Sequence, residues 1–434
     1  MSFLKYPAYK DSGVEWLGEV PEHWIMGSLK NMAQIRNGRD YKEVESSDGE
    51  YPVIGSGGQF SNATQYLYEG ESVLLGRKGT IDKPLYINGR FWTVDTMFYT
   101  EISKGACAKF FYYNSLTIPF DYYSTSTALP SMTQADLLNH PAAIPTKLEQ
   151  TQIARFLDHE TARIDALIEE QQRLIELLKE KRQAVISHAV TKGLDPTVPM
   201  KDSGVGWLGE VPAHWEVTQV KRRCDLITDG AHISPETENG VYCFVSTRDV
   251  SDEGIDFEGC LRTSADSYEY LVRTGCQPEV GDVLFSKDGT IGRTIVVSEN
   301  SPDFVVASSL IIIRPSRAAL LSQYLDFLCQ SWVVSQQVES FVKGAGLPRL
   351  SIQNLSKVVG VFPPLEEQAL IADFLQLQCV AARRLTSEAL RTMELLKERR
   401  SALISAAVTG KIDVRGWQPP TSTQAPKLAV AEAV

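Results

Sequence analysis

The sequence predicts an α+β fold in which two tandem β-rich domains are separated by two long helices. Residues 10–24 (KDSGVEWLGEVPEHW) return at 201–215 (KDSGVGWLGEVPAHW), and the two copies differ at only two positions. A helical pattern within 147–193 also returns within 365–411. The chain is therefore predicted to be a pseudo-twofold duplication. Each copy runs from this WLGEVP motif through a variable globular insert to a long helix.

The WLGEVP motif is punctuated by Gly and Pro and carries Trp16, Leu17 and Trp24 as apolar anchors. This pattern is typical of a docking turn, so we expect the motif to fasten the start of each insert against a helix. The alternative is a direct contact with a partner molecule.

The two predicted helices share a narrow apolar stripe. Neither holds Pro or Gly across its interior, and they end at Gly193 and Gly410. Apolar residues recur at alternating four- and three-residue steps, which is typical of a coiled-coil seam. A long helix with so narrow a seam needs a partner, and the copy in the same chain has the highest effective concentration. We therefore expect an intramolecular coiled coil; two separate surface helices are the alternative. The predicted seam comprises Ile153, Leu157, Ile164, Leu167, Leu174, Leu178, Val185, Ile371, Leu375, Leu385, Leu396 and Leu403.

Each insert contains short apolar runs bounded by turn residues, which predict strands with some helix. The predicted boundaries are 1–146 for the first domain, 147–193 for the first long helix, 194–362 for a linker plus the second domain, 363–412 for the second long helix, and 413–434 for a tail. The tail is rich in Pro, Ser, Thr and Ala, so we expect it to be disordered.

Composition and missing motifs narrow the class of function. Seven Cys stand singly, without a C-x-x-C pair or a His at ligand spacing, so we expect neither disulfides nor a bound metal. No apolar run is long enough for a membrane span or a signal core, so we expect a cytoplasmic protein. Nucleotide-binding, methyltransferase and hydrolase signatures are absent, which favours a binding scaffold over an enzyme. The net charge of −11 argues against a protein that grips DNA over its whole surface, but it permits a local basic face.

Three repeated features carry side chains of the types that contact phosphates and base edges. A strand ends in a Gly-containing turn at 74–81 and 284–291, a Gly/Ser/Thr-rich loop precedes each long helix, and polar residues follow Asn37-Gly38 and Asp229-Gly230. The alternatives are a hairpin turn, a hinge and a purely structural turn, respectively. The candidate residues are Arg39, Tyr41, Arg77, Lys78, Thr80, Tyr122, Ser126, His232, Lys287, Asp288, Thr290, Lys343 and Arg349.

Together these motifs resemble the specificity subunit of type I restriction-modification enzymes. The resemblance rests on the paired GVxWLGEVPxHW motifs, the SKDGTIG turn, the Leu-Pro after each pre-helix loop, the PPLEEQ helix start and the ends LLKEKRQAVISHAVTKG and LLKERRSALISAAVTGK. It covers about 10–415. The first helix start departs from it, with PTKLEQ in place of PPLEEQ.

The resemblance implies two target-recognition domains, each reading one half of a split site in double-stranded DNA, and two long helices that pack antiparallel. It implies a chain that is not catalytic and binds no cofactor. The expected partners are two methylation subunits, which use S-adenosylmethionine, and two restriction and translocation subunits, which use ATP and Mg. Because the helices are alike while the inserts differ, we expect an asymmetric site whose spacing the helices set, with the helices also docking the methylation subunits. A recognition chain for a methyltransferase alone, and a coiled-coil adaptor that never binds DNA, are the alternatives.

Overall fold

The computed structural model describes residues 4–123, 130–233, 235–237, 240–251, 254–342 and 349–420. The chain divides into two compact units, Met1–Gln171 with Leu390–Val434, and Gln172–Ala389. Each unit contains one β-rich domain, the start of one long helix and the end of the other.

The described residues of the first domain form ten strands and three short α-helices. They are β1 (Tyr9–Asp11), β2 (Glu19–Pro21), β3 (Ile25–Ser28), β4 (Ala33–Asn37), β5 (Tyr51–Gly55), β6 (Gly58–Ala63), β7 (Tyr68–Gly76), β8 (Leu85–Thr93), β9 (Met97–Ile102), α1 (Ala108–Ser115), α2 (Phe120–Tyr123), α3 (Gln134–Asn139) and β10 (Pro141–Ile144), followed by the long helix α4 (Lys147–Lys192).

The second domain repeats this plan with more elements among its described residues. They are β11 (Met200–Asp202), β12 (Glu210–Pro212), β13 (Glu216–Gln219), β14 (Cys224–Asp229), β15 (Tyr242–Val245), β16 (Val250–Ser251), β17 (Gly254–Ile255), β18 (Leu261–Thr263), α5 (Ala265–Arg273), β19 (Val283–Ser286), β20 (Thr294–Val296), β21 (Phe304–Val306), β22 (Leu310–Pro315), α6 (Ser322–Gln330), α7 (Trp332–Val342), α8 (Ile352–Leu355) and β23 (Val359–Phe362), followed by the long helix α9 (Leu365–Val408).

The central strands are buried on both faces, which explains their continuous apolar sequences. The first domain has a six-stranded sheet in the order β4-β9-β7-β8-β5-β6. Side chains alternate along a strand, and on β7 Val73 and Leu75 join one core while Leu74 joins another. The second domain has sheets β14-β22-β19-β20 and β18-β15-β21. On β19, Phe285 and Leu284 likewise enter different cores.

The first and last strands of each insert lie side by side. Ile25 pairs with Ile144, and Glu216 pairs with Phe362, both antiparallel. Each insert therefore closes on itself immediately before its long helix begins.

Each WLGEVP motif contacts the start of one long helix and the end of the other. In the first unit the buried indole of Trp24 donates to Glu149 near the start of α4 at 3.1 Å. Lys411, just beyond α9, donates to the carbonyl of Glu19 at 2.6 Å. The motif is thus a docking turn, as the sequence indicates, although Trp16 is exposed.

The second unit repeats these contacts. The Trp215 indole donates to Glu367 of α9 at 2.9 Å. Lys192, the last residue of α4, donates to the carbonyl of Glu210. Each motif therefore fastens two helix ends at once.

The long helices run antiparallel within each unit. In the first unit Ile164 shares a core with Ile404 and Ala407, and Arg400 Nε lies 2.9 Å from Asp165 Oδ1. In the second unit Ile186, near the end of α4, shares a core with Ile371, near the start of α9.

The predicted heptad seam holds at the helix ends and fails between them. Of the predicted positions, Leu167, Leu174 and Leu385 are exposed. Leu178, Val185 and Leu396 are half-buried, and the remaining six, Ile153, Leu157, Ile164, Ile371, Leu375 and Leu403, are buried. The prediction is therefore wrong for the three exposed leucines.

The buried face of α4 follows an 11-residue step, Ile153, Ile164, Ile175 and Ile186, all of them buried. Eleven residues in three turns is about 3.67 residues per turn, close to an undistorted α-helix, whereas a heptad seam requires supercoiling. The stripe therefore drifts by one position from the heptad frame in mid-helix.

The tail begins with an ordered segment. Val414 is buried, the Trp417 ring lies 5.4 Å from that of Phe156, and the Asp413 N–H donates to the Leu4 carbonyl at 2.8 Å. The prediction of disorder from 413 onward is wrong for 413–417. It rested on the composition of the whole tail, whereas Val414 and Trp417 are individual apolar residues that pack against the protein. Residues 421–434 lie outside the described residues.

Candidate nucleic-acid interface

In the first domain the candidate residues converge on the turn between β8 and β9. The Arg39 N–H donates to the Thr93 carbonyl at 3.0 Å. The Arg77 N–H donates to the Thr96 carbonyl at 2.9 Å, and its guanidinium donates to the Asp95 carbonyl at 3.3 Å. Residues separated by about forty positions in sequence therefore form one end of the sheet.

The residues that follow the pre-helix loop of this domain lie at the same end of the sheet. The Gly79 N–H donates to the Pro130 carbonyl at 2.9 Å, and the Met132 N–H donates to the Arg77 carbonyl at 3.1 Å. Lys78 and Ser131 form an antiparallel bridge. The basic turn is thus fastened to the residues that follow the loop. Ser126 of that loop lies outside the described residues.

The second domain repeats this convergence on the turn between β21 and β22. The Ala231 N–H donates to the Val306 carbonyl at 2.8 Å, and the Lys287 N–H donates to the Ser309 carbonyl at 2.9 Å. The Leu350 N–H donates to the Lys287 carbonyl at 2.8 Å. Asp288 forms an antiparallel bridge with Arg349. Lys343 lies outside the described residues.

The paired glycines after β4 and β14 are required by close backbone packing. A Cβ on Gly38 would lie 2.0 Å from the Val94 carbonyl oxygen, and one on Gly230 would lie 2.1 Å from that of Ala307. Any side chain would push the turn away. The glycines therefore hold the two turns against the β8–β9 turn and the β21–β22 turn, which we call the convergence points of the two domains.

The two domains differ in charge at this point. In the first domain Arg39 and Lys78 are exposed, Arg77 and Thr80 are half-buried, and the Arg77 guanidinium lies 6.0 Å from the centre of the Phe98 ring. Tyr122, just before the pre-helix loop, is also exposed. The first domain therefore exposes two cationic side chains, Arg39 and Lys78, at this turn.

In the second domain Lys287 is only 3% exposed, and its Nζ lies 2.5 Å from Asp229 Oδ1. The other Asp229 oxygen lies 3.1 Å from His232 Nε2. The charge of Lys287 is therefore paired inside the domain. The prediction that Lys287 contacts DNA is wrong, because its ammonium group is buried against Asp229. Asp288 lies 3.8 Å from the Arg349 Nε, and Arg349 also donates to the Ser308 carbonyl. Thr290 and the His232 ring remain exposed.

Sequence reasoning missed two residues at the second convergence point. The Thr247 N–H donates to the Ser309 hydroxyl at 3.0 Å, and the neighbouring Arg248 is exposed. They follow β15, about forty positions before the Gly-Thr turn, so no local motif connects them with it. In the first domain the exposed Phe60 was also missed; its ring lies 5.2 Å from that of Tyr41, perpendicular to it.

Tyr123 and His140 form an anchor immediately before the first pre-helix loop. The Tyr123 hydroxyl lies 2.9 Å from His140 Nδ1, and Trp16 stacks on the imidazole. Burial lowers the pKa of His140 to about 4, so the ring is neutral at pH 7. Tyr123 is thus held by a neutral imidazole.

Among the described residues, no cluster of three or more His, Cys, Asp or Glu side chains could hold a metal ion. Within the same part of the chain, no helix is both long enough and apolar enough to cross a membrane.

Residues 21–178 and 212–377 match the family described as Type I restriction modification DNA specificity domain. Two tandem domains of one plan, each with backbone turns that gather polar loops at one end of a sheet, define a bipartite recognition protein. The match covers most of the chain, which therefore belongs to this family.

Known relatives agree with this assignment. The Escherichia coli type I restriction enzyme EcoBI specificity subunit is 21% identical over 384 residues, covering 82% of this chain and 80% of the relative. The Methanocaldococcus jannaschii type I restriction enzyme MjaVIII specificity subunit is 22% identical over 421 residues, covering 91% and 94%.

The fold is also found among solved structures. A chain from a structure on complex assembly and conformational transition of the type I R-M system aligns with a TM-score of 0.66 at 16% identity, over 90% of this chain and 98% of that one. The comparisons give no support to the adaptor or to the methyltransferase-only alternative.

Proposed function

We propose that this chain is the DNA sequence-recognition subunit of a type I restriction-modification complex. It reads a split, asymmetric site in double-stranded DNA, with one β-rich domain for each half-site. One observation supports the proposal beyond the family assignment. The same three sequence features converge on equivalent turns, the β8–β9 turn of the first domain and the β21–β22 turn of the second. A duplicated framework with different side chains is what two independent readers require.

The two half-sites differ because the two convergence points differ. The first exposes Arg39 and Lys78, which suit phosphate oxygens and guanine acceptors. The second pairs Lys287 with Asp229 internally and exposes Arg248 and Thr290 instead. Different donors at equivalent places favour different bases.

The long helices are the proposed docking surface for two methylation subunits. Leu370 and Leu377 on α9 are 64% and 71% exposed, and Phe374 lies between them on the same face. These residues stand four and three positions apart, so they form one apolar stripe. Burying such a stripe under a partner subunit is favourable.

The same helices are proposed to set the spacing of the half-sites, because each begins in one unit and ends in the other. Two restriction and translocation subunits complete the complex in the cytoplasm. S-adenosylmethionine, ATP and Mg belong to the partner subunits, and this chain itself catalyses no step.

Co-expression with a type I methylation subunit, followed by mapping of N6-methyladenine across the host genome, tests the proposal. The expected result is a split motif with a methylated adenine in each half. A stable complex that produces no new methylation would overturn it.

A further inference from the structure

The hairpin formed by β5 and β6 is one edge of the first domain's sheet. β6 is the last strand in the order of that sheet, and the tip between the strands is Ser56 and Gly57. β5 runs parallel to β8, whose carboxyl end leads into the β8–β9 turn. The hairpin tip and the convergence point therefore lie at the same end of the sheet.

A positive φ accounts for Gly58 at this tip, but neither packing nor backbone conformation accounts for Gly57. A Cβ on Gly57 or Gly58 would meet no atom within 4 Å, although Gly58 has a φ of +100°. Gly57 has neither a steric nor a positive-φ requirement for glycine. Glycine at an open hairpin tip permits close approach of a ligand to the backbone.

Phe60 follows this tip and is 55% exposed, with Gln59 exposed beside it. Its ring is held by two neighbours. A Cβ on Gly55 would lie 3.3 Å from a ring carbon, so the missing side chain lets the ring lie across β5. The Tyr41 ring lies perpendicular to it, with the ring centres 5.2 Å apart. Phe60 is thus an aromatic ring packed against Gly55 and Tyr41, with more than half of its surface open to solvent.

The second domain has different chemistry at the corresponding position. β15 pairs in parallel with β21, as β5 does with β8. The residues after β15 are Ser246, Thr247 and Arg248. An aromatic surface in one reader is replaced by hydroxyl and guanidinium groups in the other.

We propose that the β5–β6 hairpin enters a groove of the half-site read by the first domain and places Phe60 against the apolar surface of a base. This inference rests on the proposed function and names a specificity-determining residue for it. The apolar surface is either a thymine methyl group or the face of an opened base, and an aromatic side chain suits both.

The test compares Phe60→Ala and Phe60→Leu in the complex with the methylation subunit, on duplexes that carry the mapped motif. Phe60→Ala should weaken specific binding between about fivefold and about a hundredfold, the range for losing one base–aromatic contact. Phe60→Leu should keep most of the binding because it keeps an apolar contact. Binding to duplexes without the motif should not change.

Position dependence separates this contact from a general loss of affinity. Every base pair of the motif is substituted in turn, and the binding penalty is compared between the wild type and Phe60→Ala. The penalty should collapse at one position of the first half-site and stay unchanged throughout the second. Tyr66→Ala is the matched control, because Tyr66 is 42% exposed beside Tyr51, at the end of β5 away from the tip.

Two probes distinguish the sources of the apolar surface. Loss of the Phe60 effect when uracil replaces thymine at that position identifies the methyl group. A rise in 2-aminopurine fluorescence that depends on Phe60 identifies an opened base. Wild-type affinity and an unchanged position profile in Phe60→Ala would overturn the inference. Absence of any sequence preference in the wild-type complex would instead overturn the proposed function.

Discussion

Replacing Glu149 by Ala should destabilise the first unit strongly, because the carboxylate satisfies two buried donors. Glu149 is 6% exposed and accepts from the Tyr6 hydroxyl at 2.8 Å and from the Trp24 indole at 3.1 Å. Burial and the hydrogen bond to Glu149 raise the pKa of Tyr6 above its usual value, so the phenol remains a donor.

Each buried donor left without an acceptor costs about 1–3 kcal/mol, so Glu149→Ala should lose about 4 kcal/mol of unfolding free energy. Glu149→Gln should lose about half as much, because its amide oxygen still accepts one bond. Glu367→Ala is the matched control. Its carboxylate accepts from the Trp215 indole and lies 2.8 Å from the partly exposed His214, as Glu149 lies 2.9 Å from His23, but among the described residues no phenol donates to it as Tyr6 does to Glu149, so about 2 kcal/mol is expected.

Urea unfolding followed by tryptophan fluorescence measures these losses, with hydrogen exchange assigning each transition to one unit. A loss below about 1 kcal/mol for Glu149→Ala, or equal losses for the two alanine variants, would refute the reasoning from buried donors.

Three further predictions concern the convergence points and the loop anchor. Arg39→Ala and Lys78→Ala should each weaken binding of the assembled complex to specific and non-specific duplexes alike and lower the salt slope by about one, measured by titration at several salt concentrations; an unchanged slope would contradict the phosphate contact. Lys287→Met should instead lower the unfolding free energy of the second unit by about 3 kcal/mol, because Asp229 loses its buried counter-ion. Denaturant unfolding should show this loss as a lower midpoint with an unchanged m-value. The pKa of His140 is lowered in the folded chain. As the pH falls from 7 to 4, His140 therefore binds a proton in the unfolded chain but remains largely neutral in the folded chain. Stability should therefore drop by about 3 kcal/mol over that window, and His140→Gln should lack this component.

The duplication was readable from the sequence because both of its markers are local. The WLGEVP motif and the helix ends recur as strings, and their contacts with Glu149 and Glu367 follow the same repeat. The turns at Gly38 and Gly230 were also predicted as turns, although the backbone oxygens that require glycine come from strands far along the chain.

What the sequence could not provide depends on pairs distant in the chain. A lysine in a Gly-containing turn, such as Lys287, is a residue type that contacts phosphates. Only the folded structure shows that Asp229 lies beside it. The predicted helix seam used the wrong period because about 3.5 and about 3.67 residues per turn differ little over a few turns. Leu174 and Ile175 are adjacent and both apolar, so the sequence alone did not show which of them is buried.

The most direct test of one domain per half-site is an exchange of the second insert. Glu216 pairs with Phe362, so residues 216–362 begin and end on adjacent strands and can be replaced by the corresponding segment of the EcoBI relative. N6-methyladenine is then mapped for the parent and for the hybrid, each co-expressed with the methylation subunit. The account predicts that one half of the motif changes while the other half is retained. A hybrid that changes both halves, or neither, while still methylating DNA would contradict it.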